Sequence, residues 1–285
     1  MGVGKRFTSL IPKQIKEFLL SFYYKWERSR GEGWYRYYLW TFPVSVEHPF
    51  HGEYRRQVFE EQERRGIENI PVFLISFNRL SYLRIAIERL EQFGLTNIII
   101  IDNASSYEPL LDYYQKIPYK VIYMDKNYGH RVFWKCPELS IYRNDFYVVS
   151  DPDVIPIEDC PYDFIKKLFY TLKKYPNLSK VGLSLKLDDL PEEGVFGEDV
   201  IHHEKEFYEY FIKEDSCYIA PVDTTFALYP PDSIANKKMS FYCALRTAYP
   251  YQARHLPWYK TKNDVNEEDQ YYSQLNKYGT WDVAK

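Results

Sequence analysis

Of all the residues in this chain, two aspartates separated by one proline have the types and spacing that best fit a chemical role. Asp151 and Asp153 follow the apolar segment 146–149, with only Ser150 between. Such a segment is typical of a buried strand, and two carboxylates at its end are costly to bury without a partner. A divalent cation would satisfy both, because Mg²⁺ and Mn²⁺ prefer oxygen ligands. The same tripeptide also fits an Asx turn, since aspartate and proline favour turns.

Polar residues also follow three strands that the sequence predicts upstream, near residues 72–77, 97–102 and 121–124. These residues are Asn78 and Arg79, then Asp102, then Asn127, Gly129, His130 and Arg131. The carboxyl ends of parallel strands meet at one edge of an open sheet, where such sheets bind ligands, so we expect one crevice there. Its carboxylates suit a cation and a ribose, and its basic side chains suit phosphates. Neither glycine-rich phosphate-binding fingerprint is present.

The elements that must position these residues alternate in type from residue 71 onward. A helix capped by Ser81 and ended by Gly94 follows the first strand, and a fifth strand is predicted at residues 181–187. This alternation predicts an α/β fold with a mostly parallel central sheet and helices on both faces.

Residues 1–66 are predicted to form a basic, aromatic helical extension ahead of a domain at residues 67–285. Apolar residues at helical spacing among lysines and arginines predict an amphipathic helix at residues 7–24. Such a helix fits peripheral membrane association, and it fits equally well a helix packed on the main domain or on a partner. The charged stretch at residues 53–65 predicts a solvated connecting helix.

The composition of the chain argues against some functional classes and is compatible with others. A net charge of −3 argues against nucleic-acid binding. The four cysteines are widely spaced, which favours free thiols in a reducing compartment. No apolar run of 18 residues and no signal-peptide pattern is present, so we expect a cytoplasmic protein, peripheral at the membrane surface if the N-terminal helix binds there. The aromatic share of 19% suits sugar faces or a tyrosine-rich core.

The ordered set of motifs resembles the GT-A fold glycosyltransferases, particularly the family 2 type that builds bacterial polysaccharides. The resemblance covers roughly residues 70–285 and rests on FLISFNR at 73–79, IIIIDNAS at 98–105, NYG at 127–129 and the Asp-x-Asp at 151–153. It implies that the residues contacting the nucleotide sugar are Asn78, Arg79, Asp102, Asn127, Gly129, Arg131 and Asp151. It also implies that Asp151 and Asp153 hold Mn²⁺ or Mg²⁺ on the diphosphate.

The C-terminal third is expected to bind the acceptor. Family members often use a late histidine as a further metal ligand, which implies this role for His255; a histidine bonded within the core or exposed fits the sequence as well. Trp258 and Tyr259 could stack on a sugar or pack internally. The segment His202-His203-Glu204 predicts a solvated or mobile region.

An inverting transfer needs one base on the acceptor side. Asp223 is the first choice, because it lies in an otherwise uncharged stretch where Val222 and Phe226 are expected to shield it. Asp269 is the second choice. Its acidic run, at residues 267–269, resembles the Glu-Asp pair that supplies the base in many family 2 enzymes, but a charge run is usually a solvated helix face.

The expected function is therefore a metal-dependent hexosyltransferase. Its donor would be a nucleotide-diphosphate sugar, with a UDP-sugar first, and its acceptor a saccharide or lipid-linked saccharide, in glycan or polysaccharide synthesis. Two alternatives are a sugar nucleotidyltransferase, although its glycine-rich loop is missing, and an inactive carbohydrate-binding or scaffold protein.

Overall fold

A sheet of ten strands forms the centre of the protein in a computed structural model that describes residues 52–175, 178–223, 225–235, 244–277 and 281–284. In chain order the strands are β1 (Val72–Ser76), β2 (Ile98–Asp102), β3 (Lys120–Tyr123), β4 (Tyr147–Ser150), β5 (Val154–Pro156), β6 (Lys180–Leu185), β7 (Phe211–Ile212), β8 (Cys217–Ile219), β9 (Ala227–Tyr229) and β10 (Ala244–His255). The α-helices in these ranges are α1 (Glu53–Arg65), α2 (Leu80–Gln92), α3 (Glu108–Tyr114), α4 (Val132–Lys135), α5 (Phe164–Lys174), α6 (Gly197–Glu204) and α7 (Glu267–Leu275).

The order of strands across the sheet is β3-β2-β1-β4-β9-β6-β10-β8-β7, and β5 pairs with β10 outside this path. The first four strands are parallel, and so are β6 and β10. Strands β5, β7, β8 and β9 pair antiparallel. The predicted α/β architecture is confirmed, but the sheet as a whole is mixed. The sequence did not reveal the antiparallel strands because each has only two or three residues, too few for a periodic pattern.

Both faces of the sheet are buried, which explains the continuous apolar runs in β1 and β2. Alternate residues of β1 contribute to two separate clusters, with Leu74 in one and Phe73 in the other. Helices α1, α2, α3 and α5 cover the first cluster. Helix α4 and the 3₁₀ helix Pro137–Asn144 cover the second. Helices therefore lie on both faces, as predicted.

Helix α1 is present where a solvated connecting helix is predicted, but one of its residues lies fully inside the core. The ring of Phe59 contacts those of Phe146 and Phe169, with centroids 4.8 and 5.1 Å away. Arg55 donates hydrogen bonds to the carbonyls of Leu172 and Lys173 in the last turn of α5. Phe59 is flanked by charged residues, and this local pattern was not enough to predict its packing.

The predicted amphipathic helix at residues 7–24 lies outside the described residues. Among the helices in the described ranges, none combines the length and apolar character that a bilayer crossing requires.

Candidate functional site at the carboxyl edge of the sheet

Side-chain hydrogen bonds join the loops that follow β1, β2 and β3. Asn78 adopts a positive φ of 51°, which asparagine tolerates, and its Oδ1 accepts from two backbone N–H groups of the loop after β2 at 2.7 and 3.0 Å. Asn103 donates to Asn127 Oδ1 at 2.9 Å and to the carbonyl of Gly129 at 3.2 Å. The loops after β1, β2 and β3 therefore meet at one edge of the sheet.

Asp102 is engaged inside the protein. Its Oδ1 accepts from the hydroxyl of Tyr114 at 3.0 Å, and its Oδ2 accepts from the backbone N–H of Ser105 at 3.1 Å. Only 2% of the residue is exposed. In this arrangement the Asp102 carboxylate is buried, and it orders the loop after β2 from inside the protein.

The two aspartates lie in a turn between β4 and β5, so the turn favoured by the tripeptide is present. Strand β5 pairs antiparallel with β10, and the register places His255 opposite Val154. The backbone N–H of Leu256 donates to the carbonyl of Asp153 at 2.8 Å. These contacts bring His255 Nε2 to 3.8 Å from Asp153 Oδ1.

The chemistry of this pair suits a divalent cation. Burial lowers the pKa of His255, with the Asp153 carboxylate opposing that effect, so the imidazole is neutral at pH 7, the form that binds metals. Asp153 Oδ1 and His255 Nδ1 are both buried without a hydrogen-bond partner. Nowhere in the described ranges do three or more His, Cys, Asp or Glu side chains converge. The structure thus brings Asp153 and His255 together and does not add Asp151 to form the full predicted set.

Buried polar atoms without a hydrogen-bond partner concentrate at this edge of the sheet. Six of the seven in the described ranges lie here: Asn78 Nδ2, Arg79 Nε, Tyr82 OH, Asp153 Oδ1, His255 Nδ1 and Trp258 Nε1. Buried polar groups in native proteins are normally satisfied, so each exception needs an explanation. A polar ligand bound at this edge would supply the missing partners.

Arg79 lies between two tyrosine rings at this edge. Its guanidinium carbon is 4.9 Å from the ring centroid of Tyr82 and 3.9 Å from that of Tyr272. Its Nη1 is 3.3 Å from Asp269 Oδ1, and Lys260 also forms an ion pair with Asp269. Burial raises the pKa of both tyrosines, so their hydroxyls stay protonated. Arg79 was expected to lie beside phosphates, but its charge is already balanced by the carboxylate of Asp269.

In the acidic run at the start of α7, Glu268 and Asp269 are buried and Glu267 is exposed, so the solvated face predicted for the run is wrong for two of its three residues. Asp269 is 1% exposed, and Glu268 accepts from the backbone N–H groups of Leu80 and Ser81 at 3.0 Å each. Glu268 therefore caps α2, where negative charge is favourable. Ser81 was expected to be the cap; it lies in the first turn and donates its hydroxyl to Glu268.

Asp223 is exposed, so the expected shielding by its neighbours is wrong. Val222 and Phe226 are buried and leave the carboxylate outside. Their loop lies directly on the sheet at Gly182. A Cβ atom there would come 2.6 Å from Val222 Cγ1 and 3.1 Å from the carbonyl oxygen of Phe226, so the close approach requires glycine.

Two basic residues, His130 and Lys180, lie within electrostatic range of the Asp223 carboxylate. Burial lowers the pKa of His130, and it lowers the pKa of Lys180 to about 7; the charge of Asp223 opposes both effects. Arg131 is exposed, and its charge contributes to the lowering for both groups. The polar residues after β3 thus divide between two places. Asn127 contacts the loop after β2, whereas His130 and Arg131 lie towards Asp223.

His202 and His203 are exposed, as predicted for the segment 202–204, but Glu204 is buried, which corrects the prediction at that residue. Glu204 ends α6 and lies 2.5 Å from Nη1 of Arg246, which is also buried. Arg246 Nε donates to the carbonyl of Pro221 at 2.8 Å. One guanidinium therefore connects α6 to the loop that carries Asp223.

Sequence reasoning missed Tyr82 and Tyr272, which enclose Arg79. Tyr82 lies three residues after Arg79, and Tyr272 three residues after Asp269. Residues three apart share a helix face, so this spacing could have identified both. Asn103 belonged to a recognised motif but was assigned no role of its own.

No protein-family model matches the chain, and a comparison with curated proteins finds no significant match.

Proposed function

We propose that the chain is a metal-dependent glycosyltransferase of the GT-A type that uses a nucleotide-diphosphate sugar, with a UDP-sugar first, and a saccharide or lipid-linked saccharide acceptor. The observation that carries the proposal is the pair formed by Asp153 and His255. A buried carboxylate oxygen without a partner lies beside a neutral imidazole at the ligand-binding edge of an α/β sheet. Oxygen and imidazole ligands together suit Mn²⁺, and Mg²⁺ accepts the oxygens.

The donor would lie across the loops after β1, β2 and β4. Asn78 Nδ2 is a buried donor without an acceptor, which suits an oxygen of the nucleobase or ribose. Asp102 and Asn103 hold the loops in place. A diphosphate beside Asp153 would bring negative charge towards Arg79, whose Nε has no partner.

The chain's own residues would divide the remaining chemistry. When bound, the metal would neutralise the charge of the leaving diphosphate. Asp223 is the proposed base for the acceptor hydroxyl, because its carboxylate is exposed and can reach a ligand. Asp269 stays second, since Arg79 and Lys260 engage its two oxygens.

A thermal-shift screen of nucleotide sugars tests this function. We expect at least one UDP-sugar to raise the melting temperature in Mn²⁺ and to have no effect in EDTA. A ligand at 100 times its Kd stabilises the folded state by about 2.7 kcal/mol, which such a screen detects. Hydrolysis of the same nucleotide sugar in Mn²⁺ would then show the transfer chemistry. If no nucleotide sugar gives a metal-dependent shift, the proposal fails.

A further inference from the structure

A row of aromatic rings leads from the proposed metal ligand His255 towards the surface. The centroids of His255 and Trp258 are 4.6 Å apart, those of Trp258 and Trp281 5.6 Å, and those of Trp281 and His203 5.8 Å. Two phenylalanines flank the outer part. The aromatic row is therefore His255, Trp258, Trp281, His203, Phe196 and Phe207.

Exposure increases from Trp258 to the outer end of the aromatic row. Trp258 is 3% exposed, Trp281 is half-buried, and His203 at the end of α6 is exposed. The inner end of the row also contains an unsatisfied donor, because Trp258 Nε1 is buried and has no acceptor. A buried indole N–H normally finds a partner, so this atom points to a ligand that ends beside His255.

The outer rings replace the residues that the sequence singled out for sugar stacking. Trp258 is too buried to stack on a ligand at the surface. Tyr259 donates its hydroxyl to the carbonyl of Lys186 and to Asp189, which fixes it against the protein. The accessible stacking surfaces are therefore those of Trp281 and His203.

The aromatic row is connected through Arg246 to the loop that carries Asp223. Helix α6 carries His203 and ends at Glu204, and the buried Arg246 joins Glu204 to the carbonyl of Pro221, two residues before Asp223. Arg246 therefore contacts both α6, which carries His203, and the loop that carries Asp223. Strands β1–β3 lie on one side of β4 in the sheet, and β10, which leads into the row, lies on the other.

The chain segment around Phe196 and His203 carries more acidic than basic residues. Four exposed carboxylates lie within a few residues of Phe196 and His203: Glu192, Glu193, Glu198 and Asp199. Within the described ranges no ion pair balances them, and the one basic residue other than histidine between 192 and 205 is Lys205. Carboxylates accept hydrogen bonds from hydroxyl groups and repel other anions.

We propose that the aromatic row is the acceptor subsite and binds the apolar face of a neutral pyranose. This rests on the proposed function and specifies its acceptor. Ring faces supply the flat apolar contact that a pyranose needs. The exposed carboxylates near Phe196 and His203 supply hydrogen bonds to ring hydroxyls and exclude uronic acids and other acidic sugars.

Saturation-transfer NMR on the full chain without donor tests the subsite. The probes are short neutral oligosaccharides of glucose, galactose and N-acetylglucosamine, with oligogalacturonate as the anionic counterpart. We expect at least one neutral probe to bind and oligogalacturonate not to bind. Trp281→Ala and His203→Ala should each weaken binding about three- to tenfold, the range that aromatic contacts supply. Phe211→Ala is the matched control, because Phe211 is an exposed ring that contacts Tyr218 elsewhere.

Titration of each variant with UDP and Mn²⁺ separates this inference from the proposed function and confirms that the variant is folded. If UDP binds but no neutral saccharide does, or if both ring variants bind saccharide like wild type, the acceptor subsite is wrong and the donor site stands. Preference for oligogalacturonate would also overturn it. If neutral saccharides bind through Trp281 and UDP does not, the row is a saccharide-binding site without an acceptor role, and the glycosyltransferase proposal fails.

Discussion

Asp223→Asn is expected to lower the rate of sugar transfer by about 10²–10⁴-fold, the usual contribution of a general base. Asparagine keeps the shape of the side chain but cannot take the proton of the acceptor hydroxyl. The affinity for the donor should stay near the wild-type value, because Asp223 itself is exposed and is not among the buried polar atoms around Asp153. Steady-state kinetics, with kcat and the donor Kd measured separately, check both parts.

Asp269→Asn is the informative comparison. Its carboxylate is buried and paired with both Arg79 and Lys260, so the substitution leaves two cations less well compensated. We expect a lower melting temperature and weaker donor binding. If Asp269→Asn instead melts like wild type and loses turnover, while Asp223→Asn keeps it, then Asp269 is the base.

Arg246→Met is expected to lower the free energy of unfolding by about 3–5 kcal/mol, the usual cost of removing one partner of a buried ion pair. The substitution leaves the Glu204 carboxylate buried without its cation and the carbonyl of Pro221 without its donor. The double variant Arg246→Met/Glu204→Leu should recover much of the loss, since it removes the uncompensated charge. Urea denaturation monitored by tryptophan fluorescence measures all three proteins.

Arg254→Met is the matched control for that experiment. Arg254 pairs with Glu158 and Asp189, and these contacts are partly exposed to solvent. Solvent-exposed ion pairs contribute about 0–1 kcal/mol, so the control should change stability far less. Equal losses for the two methionine variants would mean that the Arg246 pair does not hold α6 in place.

The sequence predicted the first half of the sheet well for a clear physical reason. Strands β1, β2 and β4 are buried on both faces, so each is a nearly continuous apolar run with polar residues directly after it. The grouping of Asn78, Asn103 and Asn127 followed from parallel topology alone. The approach of His255 to Asp153 was implied only by family resemblance, since it depends on the pairing of β5 with β10.

The remaining features depend on contacts between distant parts of the chain. Asp269 pairs with a residue 190 positions away, and Glu204 with one 42 positions away. A local charge pattern predicts a solvated helix in both cases, because it contains no information about the cation that makes burial tolerable. The outer part of the aromatic row could not be predicted for the same reason, because Trp281 and His203 are 78 positions apart in the sequence and meet only in the fold.

The binding of metal to the Asp153 site is the central claim, and calorimetric titration of UDP in the presence of Mn²⁺ tests it most directly. Asp153→Asn keeps the shape of the side chain and removes its charge, and Asp145→Asn is the control at an exposed aspartate paired with Arg65. The account predicts Mn²⁺-dependent binding of UDP to the wild type and to Asp145→Asn, and a sharp loss of that binding in Asp153→Asn. Unchanged Mn²⁺-dependent binding in Asp153→Asn would contradict it.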